Sequence, residues 1–163
     1  MRTLRPADVG PDDLDAPFWD ACRRGEFLLH RCGRCGRAYW PASTCLDHGA
    51  EAMGWEPSSG RGVVHTFTVV HHAYEPAYAD RVPYVLAVVR LDEGPFFHTN
   101  IVGCDPEEVR VDQAVEVVYT TVDGTDGDTD DGEADGGAAE AGGGSGGWVL
   151  PMFTPIVDGD GPR

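Results

Sequence analysis

The sequence predicts a mainly β protein with a short N-terminal helix, a small cysteine-bearing ribbon and a five-stranded barrel. Three observations lead there. From Gly60 onward, apolar and β-branched residues recur in short runs separated by turn residues. Ahead of them, four residues with metal-ligand chemistry crowd into "CGRCGRAYWPASTCLDH", from Cys32 to His48. Ahead of those lies one apolar stripe at helical spacing. At 163 residues and 41% hydrophobic content, the chain can bury one modest core plus a small appendage.

Residues 1–26 are read as an N-terminal helical segment. In "DDLDAPFWDACRRGEF", Leu14, Phe18, Trp19 and Cys22 approximate a helical stripe, and Asp12 or Asp13 is placed to cap it. Such a helix docks either on its own domain or on a partner. Residues 27–56 form the ribbon, of rubredoxin-like type, in which "FLLHRC" and "RAYW" read as two short strands around a tight turn. Residues 57–157 form the barrel. Its strands are "RGVVHTFTVVHH", the nearly continuous apolar run "PYVLAVVRL", then "GPFFHTNIVGC", "QAVEVVYTTV" and "GWVLPMFTP". Asp105-Pro106 opens a turn between Gly103 and Val111. Five such strands in about 100 residues suit the OB-fold barrel. The sequence has no internal repeat, Rossmann glycine pattern or P-loop.

Charge is unevenly placed. The formal net charge is −16, and all twelve basic residues are arginines. Residues 122–147 interrupt the barrel with eight acids, no base and no apolar periodicity, so a disordered, solvated insertion is expected there. Asp126, Asp128 and Asp130 alternate as in a calcium loop. However, an EF-hand needs Gly at the sixth position and Glu at the twelfth, and Asp131 and Gly137 stand there. The N-terminus turns acidic at once with no apolar core to a leader, and no run is long enough to cross a bilayer. A cytoplasmic protein without a membrane segment is expected, in which five cysteines point to metal or free thiols more than to disulfides.

Cys32 and Cys35 have the spacing of a metal knuckle, and Gly36 relieves the backbone where it must twist. Cys45 and His48 repeat that spacing further on. Three thiolates and one imidazole make a closed tetrahedral zinc set, which is structural because no position is left for water. His30, two residues before Cys32, is the alternative fourth ligand. Arg31, Arg34 and Arg37 surround the site. They compensate the net negative charge of three thiolates on Zn²⁺. In a second reading, Arg34 and Arg37 hold the phosphates of an anionic cofactor such as coenzyme A.

The words "LLHRCGRCGRAYWPASTC", "WEPSSGRGVVHTFTVVHH", "PYVLAVVRLDEGPFFHTNIVGCDPEEVRVDQAVEVVY" and "LPMFTP", in that order and spacing, resemble the DUF35 family of zinc-ribbon and OB-fold proteins. The resemblance covers nearly the whole chain except the acidic insertion. It implies a non-catalytic partner of a thiolase-like enzyme acting on acyl-CoA thioesters. One type supports a lipid-transfer-type aldolase in steroid side-chain removal. The other joins acetoacetyl-CoA thiolase to hydroxymethylglutaryl-CoA synthase, with coenzyme A thioester as a shared ligand. Two positions depart from the pattern. His48 stands where the family usually has a fourth cysteine. Asp112 stands where many members have a glycine in a turn, a conformation that Asp tolerates.

The residues alone are consistent with this. No G-x-S-x-G or other nucleophile setting is present, and no catalytic residue is assigned. His71 and His72 open an aromatic loop. One is expected to pack inward and the other to be solvated, while Tyr74, Tyr78 and Tyr84 offer an interface. Cys104 has no basic neighbour in sequence and reads as a small hydrophobe. The competing function is nucleic-acid binding, which ribbons and OB barrels often perform. It needs basic strand faces, and a chain at −16 repels polyanions.

Overall fold

The computed structural model describes residues 14–73, 79–122 and 148–156. Asp12, Asp13, Tyr74, Tyr78 and residues 123–147 of the acidic insertion lie outside the described residues.

Helix α1 spans Ala16–Arg23, with Pro17 in its first turn, where a missing N–H costs no intrahelical bond. The N-cap is Asp15, whose side chain makes no capping bond and whose carbonyl accepts from the amides of Phe18 and Trp19. Phe18, Ala21 and Cys22 form the buried face at helical spacing. Leu14, expected in that stripe, precedes the helix and is 51% exposed. Gly25, at φ 75°, ends the helix by returning its amide to the Cys22 carbonyl.

The ribbon is a three-stranded antiparallel sheet of β1 (Leu28–Cys32), β2 (Ala38–Tyr39) and β3 (Met53–Pro57), in the order β2-β1-β3. β3 was not expected. "MGWEP" carries Gly and Pro, and neither favours a strand. Pairing with β1 from Leu28↔Pro57 to Cys32↔Met53 holds it extended.

The barrel has the five expected strands: β4 (Arg61–Val70), β5 (Tyr84–Leu91), β6 (Phe96–Ile101), β7 (Ala114–Val122) and β8 (Trp148–Pro155). They close in the order β4-β5-β6-β8-β7. β6 and β8 meet in parallel at Ile101↔Phe153, and the other pairs are antiparallel. A bulge between Val64 and Thr66 lets β4 turn from β7 toward β5. This is the OB-fold. After β6, Asp105 accepts from the Glu107 amide at 2.9 Å and caps a 3₁₀ turn, Pro106–Glu108. Asp112 follows at φ 64°, the one non-glycine at positive φ among the described residues. A short polar side chain is tolerated there at a small cost.

The barrel interior is filled by Val64, Val85, Val89, Leu91, Val115 and Phe153, all buried. The α1 residue Phe18, 0% exposed, joins this core to the ribbon. Its ring centroid lies 4.1 Å from that of Trp40 and 6.1 Å from that of Trp55 in the ribbon. It lies 5.5 Å from that of Phe27 in the connector and 6.3 Å from that of Phe97 in the barrel. The N-terminal helix therefore docks on its own chain. Gly60, between ribbon and barrel, has φ 65°, and a Cβ there would stand 2.5 Å from Val117 Cγ1. Only glycine fits that junction. Among the described residues no helix is long and apolar enough to cross a membrane.

Truncating a fully buried aromatic at this junction removes contacts to ribbon, connector and barrel at once. Phe18→Ala is expected to cost about 3–5 kcal/mol in urea unfolding. Asp112→Gly is expected to change the midpoint by less than about 1 kcal/mol, because it only relieves backbone strain.

Candidate metal centre

Two turns built alike bring the four ligand candidates together. Cys32 ends β1, and the Gly36 amide donates to its carbonyl at 2.7 Å. Cys45 forms an isolated bridge with Gly49, whose amide donates to the Cys45 carbonyl at 2.9 Å. Gly36 and Gly49 have the same left-handed φ of 73°. Each turn thus closes on a glycine four residues after its first cysteine, so its two ligands face one point. Gly49 was a missed signal: "CLDHG" repeats "CGRCG" with the glycine in register, which strengthens His48 as the fourth member.

The ligand atoms of Cys32, Cys35, Cys45 and His48 all lie within 4.8 Å of one another. His48 Nδ1 is 3.5 Å from Cys32 Sγ and 3.6 Å from Cys45 Sγ, and the sulfurs of Cys35 and Cys45 are 3.8 Å apart. A tetrahedral zinc ion, with bonds of about 2.3 Å to sulfur and about 2.0 Å to nitrogen, spaces its sulfurs about 3.8 Å apart. It places nitrogen about 3.5 Å from sulfur. The donor set therefore fits zinc in kind, number and spacing. Cys32 and Cys45 are buried, His48 is half-buried and Cys35 is exposed.

Electrostatics points the same way. Burial opposes ionisation of Cys45. The Asp47 amide, Tyr39, His48 and Cys32 nevertheless bring its thiol down to about 6. At Cys35 the Arg37 backbone favours the thiolate, but desolvation and the sulfurs of Cys32 and Cys45 outweigh it and raise the pKa. Crowded sulfurs cannot all ionise without a cation between them.

His30 is not part of the cluster. It is buried, its Nδ1 accepts from the Ser43 amide at 3.0 Å, and its ring lies 5.0 Å from that of Trp55. Arg31 donates to the Gly36 carbonyl at 2.8 Å and pairs with Glu56 at 3.3 Å, tying the first turn to β3. Arg37 pairs with Asp47 at 3.2 Å, tying the first turn to the second. Arg34 is exposed. His71 and His72 are both exposed, so neither packs inward, because the strand has already ended before them.

Two profiles match the chain: the ChsH2 rubredoxin-like zinc ribbon domain over residues 19–49 and the ChsH2 C-terminal OB-fold domain over residues 55–120. Fold and site thus define a zinc-ribbon and OB-fold protein. A DUF35 domain-containing scaffold protein of Methanocaldococcus jannaschii is 36% identical over 101 residues, covering 60% of this chain and 71% of that protein. The chain belongs to the DUF35 family. It is also 30% identical over 125 residues to a probable enoyl-CoA hydratase alpha subunit of Thermomonospora curvata. That match covers 75% of this chain but only 38% of the relative, so the chain spans about two fifths of that subunit's length. A solved structure of the Ltp2-ChsH2(DUF35) aldolase superposes with a TM-score of 0.66 and 28% identity. The match covers 94% of this chain and all of the matched chain.

The remaining cysteines lie apart from the centre. Burial pushes the Cys22 thiol from 9.0 up to about 12, against its backbone hydrogen bond and Arg23. Burial, helped by Cys22 and Glu26, also raises Tyr119 to about 12. Both groups hold their protons in the folded chain where the unfolded chain releases them. Their contribution is therefore complete below pH 9 and is lost as pH rises toward 12. The urea midpoint is expected to fall as pH rises from about 9 toward about 12, and Cys22→Ala is expected to flatten that fall.

Proposed function

We propose that this chain is a non-catalytic accessory subunit of a thiolase-like enzyme that acts on acyl-CoA thioesters. It completes or shields the acyl-CoA pocket, while the partner carries the reacting groups. The observation that carries this reading is the end-to-end likeness to a chain of the Ltp2-ChsH2(DUF35) aldolase. That likeness favours the aldolase type over the thiolase–synthase type. The scaffold name of the archaeal relative supports the same role. A subunit of this kind contributes geometry rather than bond chemistry: it fixes where the thioester sits and keeps water out.

In this reading Cys32, Cys35, Cys45 and His48 hold one structural zinc. The metal replaces the core that a ribbon of this size cannot build. A closed four-ligand set leaves no position for substrate. Of the two arginines considered for a coenzyme A phosphate, Arg34 makes no hydrogen bond or ion pair among the described residues, whereas Arg37 must first release Asp47. The insertion 122–147 then interrupts a barrel of residues 57–157 that follows the ribbon of residues 27–56 and the helical segment 1–26.

Three measurements test this. Metal analysis of the purified chain is expected to find one zinc, lost in Cys32→Ser and kept in His48→Cys. A chelator should weaken the near-ultraviolet dichroism without abolishing it, because Trp40 and Trp55 also pack on Phe18. Co-expression with a thiolase-like subunit from the same organism should give co-elution and thioester cleavage or condensation that neither chain shows alone. Turnover of an acyl-CoA by this chain by itself would overturn the proposal.

A further inference from the structure

The barrel turns one face outward that does not look like the rest of the chain. Strands β4, β5 and β6, of ten, eight and six residues, contain no Asp or Glu, although the protein carries 28 acids. Their only charges are Arg61 and Arg90, joined by His65 and His98. The first acids after β5, Asp92 and Glu93, lie in the turn beyond it, where Glu93 is engaged by the Ser59 amide at 2.7 Å.

The burial of β5 alternates strictly, but its sequence does not. Val85, Ala87, Val89 and Leu91 fill the barrel, while the outward positions hold Leu86 and Val88 before Arg90. A strand with one face in water normally alternates apolar with polar residues. Register sets Leu86 between Thr68 and Asn100, Val88 between Thr66 and His98, and Arg90 beside Phe96. Leu86 and Phe96 are each 45% exposed, and the His65 ring at the bulge lies 4.8 Å from that of Phe96. Two shallow grooves, of about 320 Å³ over Leu86 and Val88 and about 410 Å³ between Trp40 and Phe96, meet at His98. The result is one apolar band running from the barrel face to the ribbon edge. Outward apolar residues on an otherwise polar surface suit contact with another protein.

We propose that this face, centred on Leu86, Val88 and Arg90 and bordered by Phe96 and His98, is where the partner enzyme subunit docks. The partner presents an apolar patch with carboxylates at its rim, opposite Arg90. The proposal rests on the accessory-subunit reading and adds the surface to it. Charge selects this occupant over a second copy. Same-face pairing would join two chains of −16 each and bring together two faces whose only charges are arginines. Charge also disfavours a nucleic acid, although the second and third strands of an OB barrel often bind one. Two arginines on such a chain do not make a phosphate track, and Phe96 is the one large aromatic exposed among these strands.

The test is calorimetric titration of the full chain into the thiolase-like subunit that co-elutes with it. Leu86→Glu and Arg90→Glu are each expected to weaken binding by roughly tenfold or more, and Val111→Glu, on an exposed site elsewhere, to leave it unchanged. Both residues point outward, and Arg90→Glu removes no apolar surface, so unaltered thermal melts separate lost docking from lost folding. Wild-type affinity in Leu86→Glu and Arg90→Glu would overturn the docking face and leave the accessory role standing. No binding by the wild type would overturn both. Sedimentation showing a homodimer that Leu86→Glu dissociates would assign the face to a second copy. Binding of a labelled oligothymidylate that Arg90→Glu abolishes would assign it to single-stranded nucleic acid.

Discussion

The structure depends on one aromatic side chain that touches ribbon, connector and barrel at once. Phe18 meets Trp40 and Trp55 from the ribbon, Phe27 from the connector and Phe97 from the barrel. Phe27 in turn meets Phe97 and Phe153. Neither the ribbon nor the helix is large enough to bury a core of its own. The helix of eight residues is also too short to persist without packing. Their order derives from the barrel, passed through this cluster, and Gly60 keeps the connector close enough for the rings to meet. The ribbon's outer end lies beyond the cluster and is closed by the two glycine-ended turns instead.

How much of this could be read in the sequence varied with the physics. The barrel strands were legible because β-branched and apolar runs punctuated by turn residues have few alternatives. The ligand set was legible because two thiolates in a tight turn are a local matter of spacing. β3 was not legible, since its extended form comes from pairing with β1 and not from "MGWEP" itself. The partner of α1 was not legible either. The stripe gives a face but not what covers it, and Ala21 rather than Leu14 completes the buried side. His30 and His48 were separable only in three dimensions, where His30 is taken by the Ser43 amide and the Trp55 ring.

The arginines show how one residue type divides between structure and recognition. Arg31 and Arg37 are used within the ribbon, each bracing a metal turn against an acid, with exposed pairs that contribute little energy but fix geometry. Arg34 and Arg90 are not drawn into the ribbon's bracing. Arg90 lies within an acid-free sheet face, whereas eight of the chain's 28 acids are gathered in the insertion between β7 and β8. The net charge therefore describes the insertion better than the barrel. A surface nearly neutral where the remainder is strongly acidic can approach another protein without the repulsion the whole chain would impose.

These features agree with the proposed accessory role. Among the described residues, one dense cluster of reactive groups has four donors spaced for a single tetrahedral ion. The chain's other thiols are held protonated: Cys22 by burial at 1% exposure, and Cys104 by desolvation and the nearby Glu108 and Asp105. A thiol whose pKa is raised is a poor nucleophile. On the described barrel surface, outward positions of β5 are apolar where solvent would favour polar ones. In a sequence otherwise consistent from propensity to packing, that inconsistency is where function is expected.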